Sequence, residues 1–106
     1  MRTRGQLLDS YAAHLRLQRG MSEHTVRAYL GDIGDLLSFL GVGEEETEIV
    51  GPALGTLDLV DLRAWLAHMS AAGRTRATLA RRGAAARTFS TWAHRNGLLP
   101  ADIAAR

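Results

Sequence analysis

The chain has 106 residues, 46% of them hydrophobic, which suffices for one modest core and not for two. It contains no cysteine, so a disulfide framework and a cysteine-ligated zinc site are both excluded. The net charge is only +2, and all thirteen basic residues are arginine, a bias that genomic GC content explains without any selection for guanidinium chemistry.

Base composition does not explain how the charges are distributed. Residues 1–31 carry five arginines and two acids (+3), residues 32–61 carry eight acids and no arginine (−8), and residues 62–106 carry eight arginines and one acid (+7). Between Leu62 and Ala101 stand Arg63, Arg74, Arg76, Arg81, Arg82, Arg87 and Arg95 without a single acid. A cationic block of that length inside a helical pattern points to a polyanion, with double-stranded DNA first among the candidates.

Apolar residues recur at helical spacing almost throughout, and no stretch alternates long enough for a strand, so the fold class is all-α. A first helix is expected over Gln6 to Arg19, with Leu8, Tyr11, Ala12 and Leu15 on one face and Gly20 as its stop. A second opens at Ser22, whose hydroxyl can accept from the Thr25 amide while Met21 and Val26 form a hydrophobic staple. It presents Val26, Tyr29, Leu30, Ile33, Leu36, Leu37 and Leu40 to a core and stops near Gly41. Gly31 and Gly34 inside it each disfavour the helix by about 1 kcal/mol relative to alanine, which predicts either a close backbone neighbour or a bend.

The acid- and glycine-rich segment Gly41 to Thr56 reads as a long mobile loop. A third helix opens at Asp58, with Asp61 three residues on and Leu57 and Leu62 placed as a hydrophobic staple, and buries Leu59, Leu62, Trp65, Leu66 and Met69 before Gly73. A fourth opens at Thr75, with Thr78 three residues on and Leu79, Ala86, Phe89 and Ala93 as its apolar stripe, and closes at Asn96-Gly97. From Leu98 to Arg106 a short connector around Pro100 is expected to end without a compact finish, as in a chain cut from something longer. Four helices in two hairpins form one domain over residues 1–106.

Both the second and fourth helices open with a hydroxyl cap and a second hydroxyl three residues later. Helix starts present free amides and the positive end of the dipole, so they are ready phosphate sites once solvent-facing. The candidates are Ser22, His24, Thr25 and Arg27 at one start, and Arg74, Arg76, Thr78, Arg81, Arg82 and Arg87 at and beyond the other. At about 100° per residue Arg76 and Arg87 share an azimuth, whereas Arg82 falls at the margin of the apolar stripe. Arginine binds phosphate or pairs bidentately with guanine, and hydroxyls donate to either. Against this stand the plainer alternatives of ordinary helix caps and a solvated face, or an arginine face turned to an acidic protein partner.

No catalytic constellation, phosphate loop or metal-ligand spacing is present, so no catalytic residue, metal or cofactor is assigned. His14, His24, His68 and His94 lie on different helices, and Glu44 to Glu46 lack the interleaving of a calcium loop. Trp65, Trp92, Phe39 and Phe89 fall on apolar faces and are expected in the core. The apolar runs are too short to cross a membrane, and the first twenty residues are not a signal peptide.

Three stretches carry a family resemblance. Arg19-Gly20-Met21-Ser22-Glu23-His24-Thr25-Val26-Arg27-Ala28-Tyr29, with Asp32 and Phe39-Leu40 beyond, is similar to the opening of the N-terminal, SAM-like core-binding domain of tyrosine recombinases, most closely the XerC type. Asp61-Leu62-Arg63-Ala64-Trp65-Leu66 and Thr78-Leu79-Ala80-Arg81-Arg82 through Arg87-Thr88-Phe89 to Gly97-Leu98-Leu99 resemble later parts of the same domain. The resemblance implies a bundle whose second and fourth helices face the DNA major groove as half of a clamp, with the catalytic residues on a separate C-terminal domain that this sequence lacks. It further implies a cytoplasmic protein working with a XerD-type partner in a tetramer on recombination sites, resolving chromosome dimers before division. Two departures stand out: Gly83 and Ala86 replace bulkier residues expected against the second helix, and Asp102-Ile103 stands where Asn-Pro or Asp-Pro is common.

Overall fold

The computed structural model describes residues 2–103. Its order is α1 (Arg4–Leu17), α2 (Glu23–Phe39), a single turn α3 (Gly51–Leu54), α4 (Leu59–Ala71) and α5 (Arg76–Arg95), with no strand among the described residues. The four long helices are those expected, the third and fourth being α4 and α5. Ser22, Asp58 and Thr75 are the N-caps of α2, α4 and α5, accepting from the amides of Thr25, Asp61 and Thr78. α1 begins two residues earlier than its apolar period suggests, because Thr3 and Gln6 form a reciprocal capping box. Its phase also differs by one position: Leu7 is fully buried and Leu8 only partly.

α2, α4 and α5 end alike. Gly41, Gly73 and Gly97 adopt positive φ, and the next amide donates back to Leu37, Met69 and Ala93, which satisfies carbonyls that the helix leaves open. α1 and α2 form an antiparallel hairpin tied at both ends. Arg4 Nη2 donates to the Gly34 carbonyl at 2.7 Å and Ser38 Oγ at 2.8 Å, and Arg16 grips the Glu23 carboxylate through Nε and Nη2. That grip holds the Glu23 carboxyl below its ordinary range. α4 and α5 form the second hairpin, and α2 packs on both of its helices.

The core is built on Trp65, Tyr11 and Phe89, with Leu7, Leu15, Val26, Ile33, Leu36, Leu37 and Leu54 around them. Tyr11 meets Phe89 edge-on at 5.3 Å, and its buried hydroxyl lies 3.4 Å from the Ala85 carbonyl. Tyr29, Leu30, Leu40, Leu66 and Leu79 lie at the core margin, and Phe39, expected in the core, is exposed, its ring tilted against His68 at 5.1 Å.

Two segments differ from expectation. The stretch 41–56 is not a free loop: Val42, Val50 and Leu54 are buried, and the Val50 amide donates to the Arg2 carbonyl. Gly43 sits so close to α1 that a Cβ there would stand 2.7 Å from Arg4 Cβ and 2.8 Å from Val50 Cγ1, at a φ of +68° that already favours glycine. Only Glu44 to Thr47 form a continuous exposed tip. The connector likewise folds back: Leu99 is buried, Leu98 and Ile103 rest on the core, and the Asp102 carboxylate accepts from Ser90 Oγ at 2.8 Å and Thr91 Oγ1 at 2.6 Å. Asp102 thus anchors the connector to α5, and Ile103 adds an apolar contact with the core. Residues 104–106 lie outside the described residues.

Gly83 and Ala86 face α4 rather than α2, lining a hollow of about 80 Å³ with Leu62, Leu66, Arg63 and Arg87. Neither glycine of α2 is required by a close neighbour. A Cβ at Gly34 would touch only Arg4 Nη2 at 3.5 Å, and one at Gly31 would meet nothing within 4 Å. Gly31→Ala is therefore expected to stabilise the domain by about 0.5–1 kcal/mol, read as a rise of roughly 4 °C in melting temperature.

Candidate nucleic-acid interface

The two helix starts singled out in the sequence have the same local construction. At α2, Ser22 Oγ accepts from the Thr25 amide at 3.2 Å and donates to Thr25 Oγ1 at 3.0 Å. At α5, Thr75 Oγ1 accepts from the Thr78 amide at 3.1 Å and donates to Thr78 Oγ1 at 3.0 Å. In each case one orphan amide is capped, and the second hydroxyl still has lone pairs and its own proton to offer. Ser22, His24 and Arg27 are exposed and Thr25 is half-buried; Arg74 and Arg76 are exposed and Thr78 is half-buried.

Arg27, Arg74, Arg76 and Arg87 make no ion pair or hydrogen bond among the described residues. Their charge is therefore available to a ligand. Arg87 stands on the azimuth of Arg76, on the flank of α5 that faces α4, where it shares the rim of the hollow with Arg63.

Comparison with known proteins bears on what such a surface is for. The family described as "Phage integrase, N-terminal SAM-like domain" matches residues 8–97. The chain belongs to this family. It is 49% identical over 100 residues to the tyrosine recombinase XerC of Mycobacterium sp. (strain JLS), covering 94% of this chain and 32% of that protein. It is 47% identical over 100 residues to tyrosine recombinase XerC of Mycobacterium tuberculosis (strain ATCC 25177 / H37Ra), covering 94% of this chain and 31% of that one. The chain thus spans about a third of the length of the curated relatives it matches. No solved structure matches it.

Within this SAM-like domain the remaining two candidates are placed differently from the free arginines. Arg82 is only 11% exposed: Nη1 donates to Asp35 Oδ2 at 2.7 Å, Nε lies 3.2 Å from Asp32 Oδ1 without hydrogen-bond alignment, and the guanidinium sits 5.8 Å from the Trp65 ring centroid. Trp65 Nε1 donates to the same Asp35 oxygen at 2.9 Å. Arg82 is thereby an internal strut joining α2, α4 and α5, with little exposed surface left for a ligand. Arg81 is intermediate. Its Nε and Nη2 donate to the two oxygens of Asp32 at 2.9 and 2.7 Å, yet 45% of its side chain faces solvent. The hydrogen bond to Asp32 raises the proton affinity of Arg81 above that of an ordinary arginine.

Asp32 and Asp35 are the site residues that reading for cations passed over. Asp32 is 1% exposed, a carboxylate on the buried arc of α2 beside Ile33, and such a group requires a cationic partner. The −8 segment is consequently an acidic face only at its exposed tip, Glu44 to Glu46. Asp32 and Asp35 neutralise Arg81 and Arg82, Asp58 and Asp61 cap α4, and Glu48 accepts from the Gly43 amide. Among the described residues no group of three His, Asp or Glu side chains converges to hold a metal, and no helix is long and apolar enough to cross a membrane.

Proposed function

We propose that this domain is the DNA-binding module of a XerC-type site-specific tyrosine recombinase. The observation that carries the reading is the pair of hydroxyl-capped starts, α2 with Arg27 and α5 with Arg74 and Arg76, none of these arginines being in an ion pair among the described residues. The Asp32–Arg81 pair marks where the two helices pack. From it, the α2 start is nine residues away and the α5 start five, about 14 and 8 Å along their axes. With the side-chain bridge between them, the two starts lie within roughly 30 Å, less than the 34–36 Å of one DNA helical turn. Phosphates would take the amides and hydroxyls at both starts together with Arg27, Arg74, Arg76 and Arg87, and the helices would enter adjacent groove surface.

In that role the domain forms half of a clamp on the recombination site, and the cutting and joining of strands belongs to the rest of the parent protein. The parent would act in the cytoplasm with a XerD-type partner, in a tetramer that resolves chromosome dimers before cell division. Charge-driven contact with four phosphates predicts a log–log salt slope of about −3.6, hence a loss of the order of a hundredfold in duplex affinity between 50 and 200 mM salt. Fluorescence anisotropy with mixed-sequence duplex measures this. A flat salt response, or no binding at 50 mM, rejects the reading. A tighter complex with an acidic polypeptide at matched ionic strength would favour an arginine face made for a protein partner.

A further inference from the structure

Arg81 differs from its neighbours in that it is both fixed and exposed. Its fork is closed on Asp32 from one side, through Nε and one Nη2 proton. The carboxylate that holds it is 1% exposed, and on its other side Arg82 Nε stands at 3.2 Å, with Arg82 itself anchored on Asp35. Asp32 therefore has no room to turn, and the plane of the Arg81 guanidinium follows it. Of five guanidinium protons, the two on Nη1 and the second on Nη2 remain unused. One proton on each of Nη1 and Nη2 forms the free distal edge, which adjoins the edge held by Asp32, and 45% of the side chain faces solvent.

We propose that Arg81 is a base-reading residue of this domain, with guanine as its partner, and that Asp32 is the positioning residue that aims it. The proposal rests on the DNA-binding reading above. A phosphate rewards net charge, and Arg81 with Asp32 carries none. A base edge rewards direction: the free edge offers two parallel donors, which match guanine O6 and N7. The unpaired Arg76 and Arg87 have the opposite properties, full charge and no fixed plane, and serve as phosphate contacts. Affinity and selectivity are thus assigned to different arginines of one helix, and the acid that cancels one charge is what makes that arginine selective.

The test begins by selecting a preferred duplex for the unmodified chain from a pool of randomised duplexes. Dissociation constants for that duplex and for a mixed-sequence duplex are then measured across salt for the unmodified chain, Arg81→Lys and Asp32→Asn, with thermal melts to establish folding. Arg81→Lys keeps the charge and loses the fork. It is expected to bind the mixed duplex within about twofold of the unmodified chain, with the same salt slope, while discrimination falls roughly 5- to 100-fold. Asp32→Asn, if folded, is expected to bind the mixed duplex at least as tightly, because a cation is released, and to lose discrimination as well. Should it not fold, Arg81→Lys decides alone. Unchanged discrimination in Arg81→Lys overturns the proposal, as does an equal loss on both duplexes, and so does selection of no preferred sequence by an unmodified chain that binds DNA. Absence of any salt-sensitive duplex binding by the unmodified chain instead defeats the DNA-binding reading itself.

Discussion

Replacing Arg76 and Arg87 together with alanine is expected to lower the affinity for mixed-sequence duplex about fiftyfold at 0.1 M salt and to flatten the log–log salt slope by roughly 1.8. Each guanidinium that neutralises a phosphate releases counterions, and at this salt one such contact is worth somewhat less than a factor of ten. Both side chains are exposed and unpaired among the described residues, so the double variant should melt within a few degrees of the unmodified chain. Arg95→Ala is the matched control, an exposed arginine in the last turn of α5, far from the helix start. Arg2 and Arg4 are unsuitable controls for a structural reason: Arg4 holds the Gly34 carbonyl and Ser38, and Arg2 lies 5.9 Å from the Trp92 ring centroid. A loss of somewhat less than tenfold in Arg95→Ala, the same per charge removed as in the double variant, would mean that net charge alone, and no localised surface, governs binding.

Trp65→Ala is expected to destabilise the domain by about 3–5 kcal/mol. The ring is fully buried, and its loss leaves a large void between α2, α4 and α5. Its Nε1 also shares the Asp35 oxygen with Arg82, so the change removes one donor of the three-helix strut and the ring over which the guanidinium lies. A domain of this size holds only about 5–15 kcal/mol in total, so the variant sits at the edge of folding, and urea denaturation reads the loss as a lower midpoint. Trp65→Phe separates the two contributions. It keeps most of the buried surface and loses the hydrogen bond, and because Asp35 is 43% exposed, water replaces that donor at a loss of about 1 kcal/mol. Similar losses in both variants would show that the hydrogen bond, not the volume, dominates.

Helix starts were legible in the sequence because capping is local chemistry. Ser22, Asp58 and Thr75 each stand immediately before an apolar-periodic stretch, and each has its partner three residues later. Packing of residues 41–56 was not legible, since the helical spacing of Val50 and Leu54 spans a single turn, too short a pattern to read, and Val42 lies outside it. The free arginines at the α5 start stand exposed where helical phase placed them, and Arg82 at the stripe margin is partly buried, in keeping with its azimuth. What phase cannot supply is the partner. Asp32 and Arg81 are 49 residues apart, and only the packing of α2 on α5 brings them together. A carboxylate on the buried arc of α2 and arginines at the edge of the α5 stripe were the available signals, each incomplete alone.

The central claim, that the starts of α2 and α5 receive one duplex together, is tested most directly by amide chemical-shift mapping of the isotope-labelled chain titrated with a short duplex. The account predicts that amides of residues 22–28 and 74–82 shift in concert, with one apparent affinity, while those of residues 44–48 stay in place. Shifts confined to one helix start, or two sets titrating with different affinities, would contradict it.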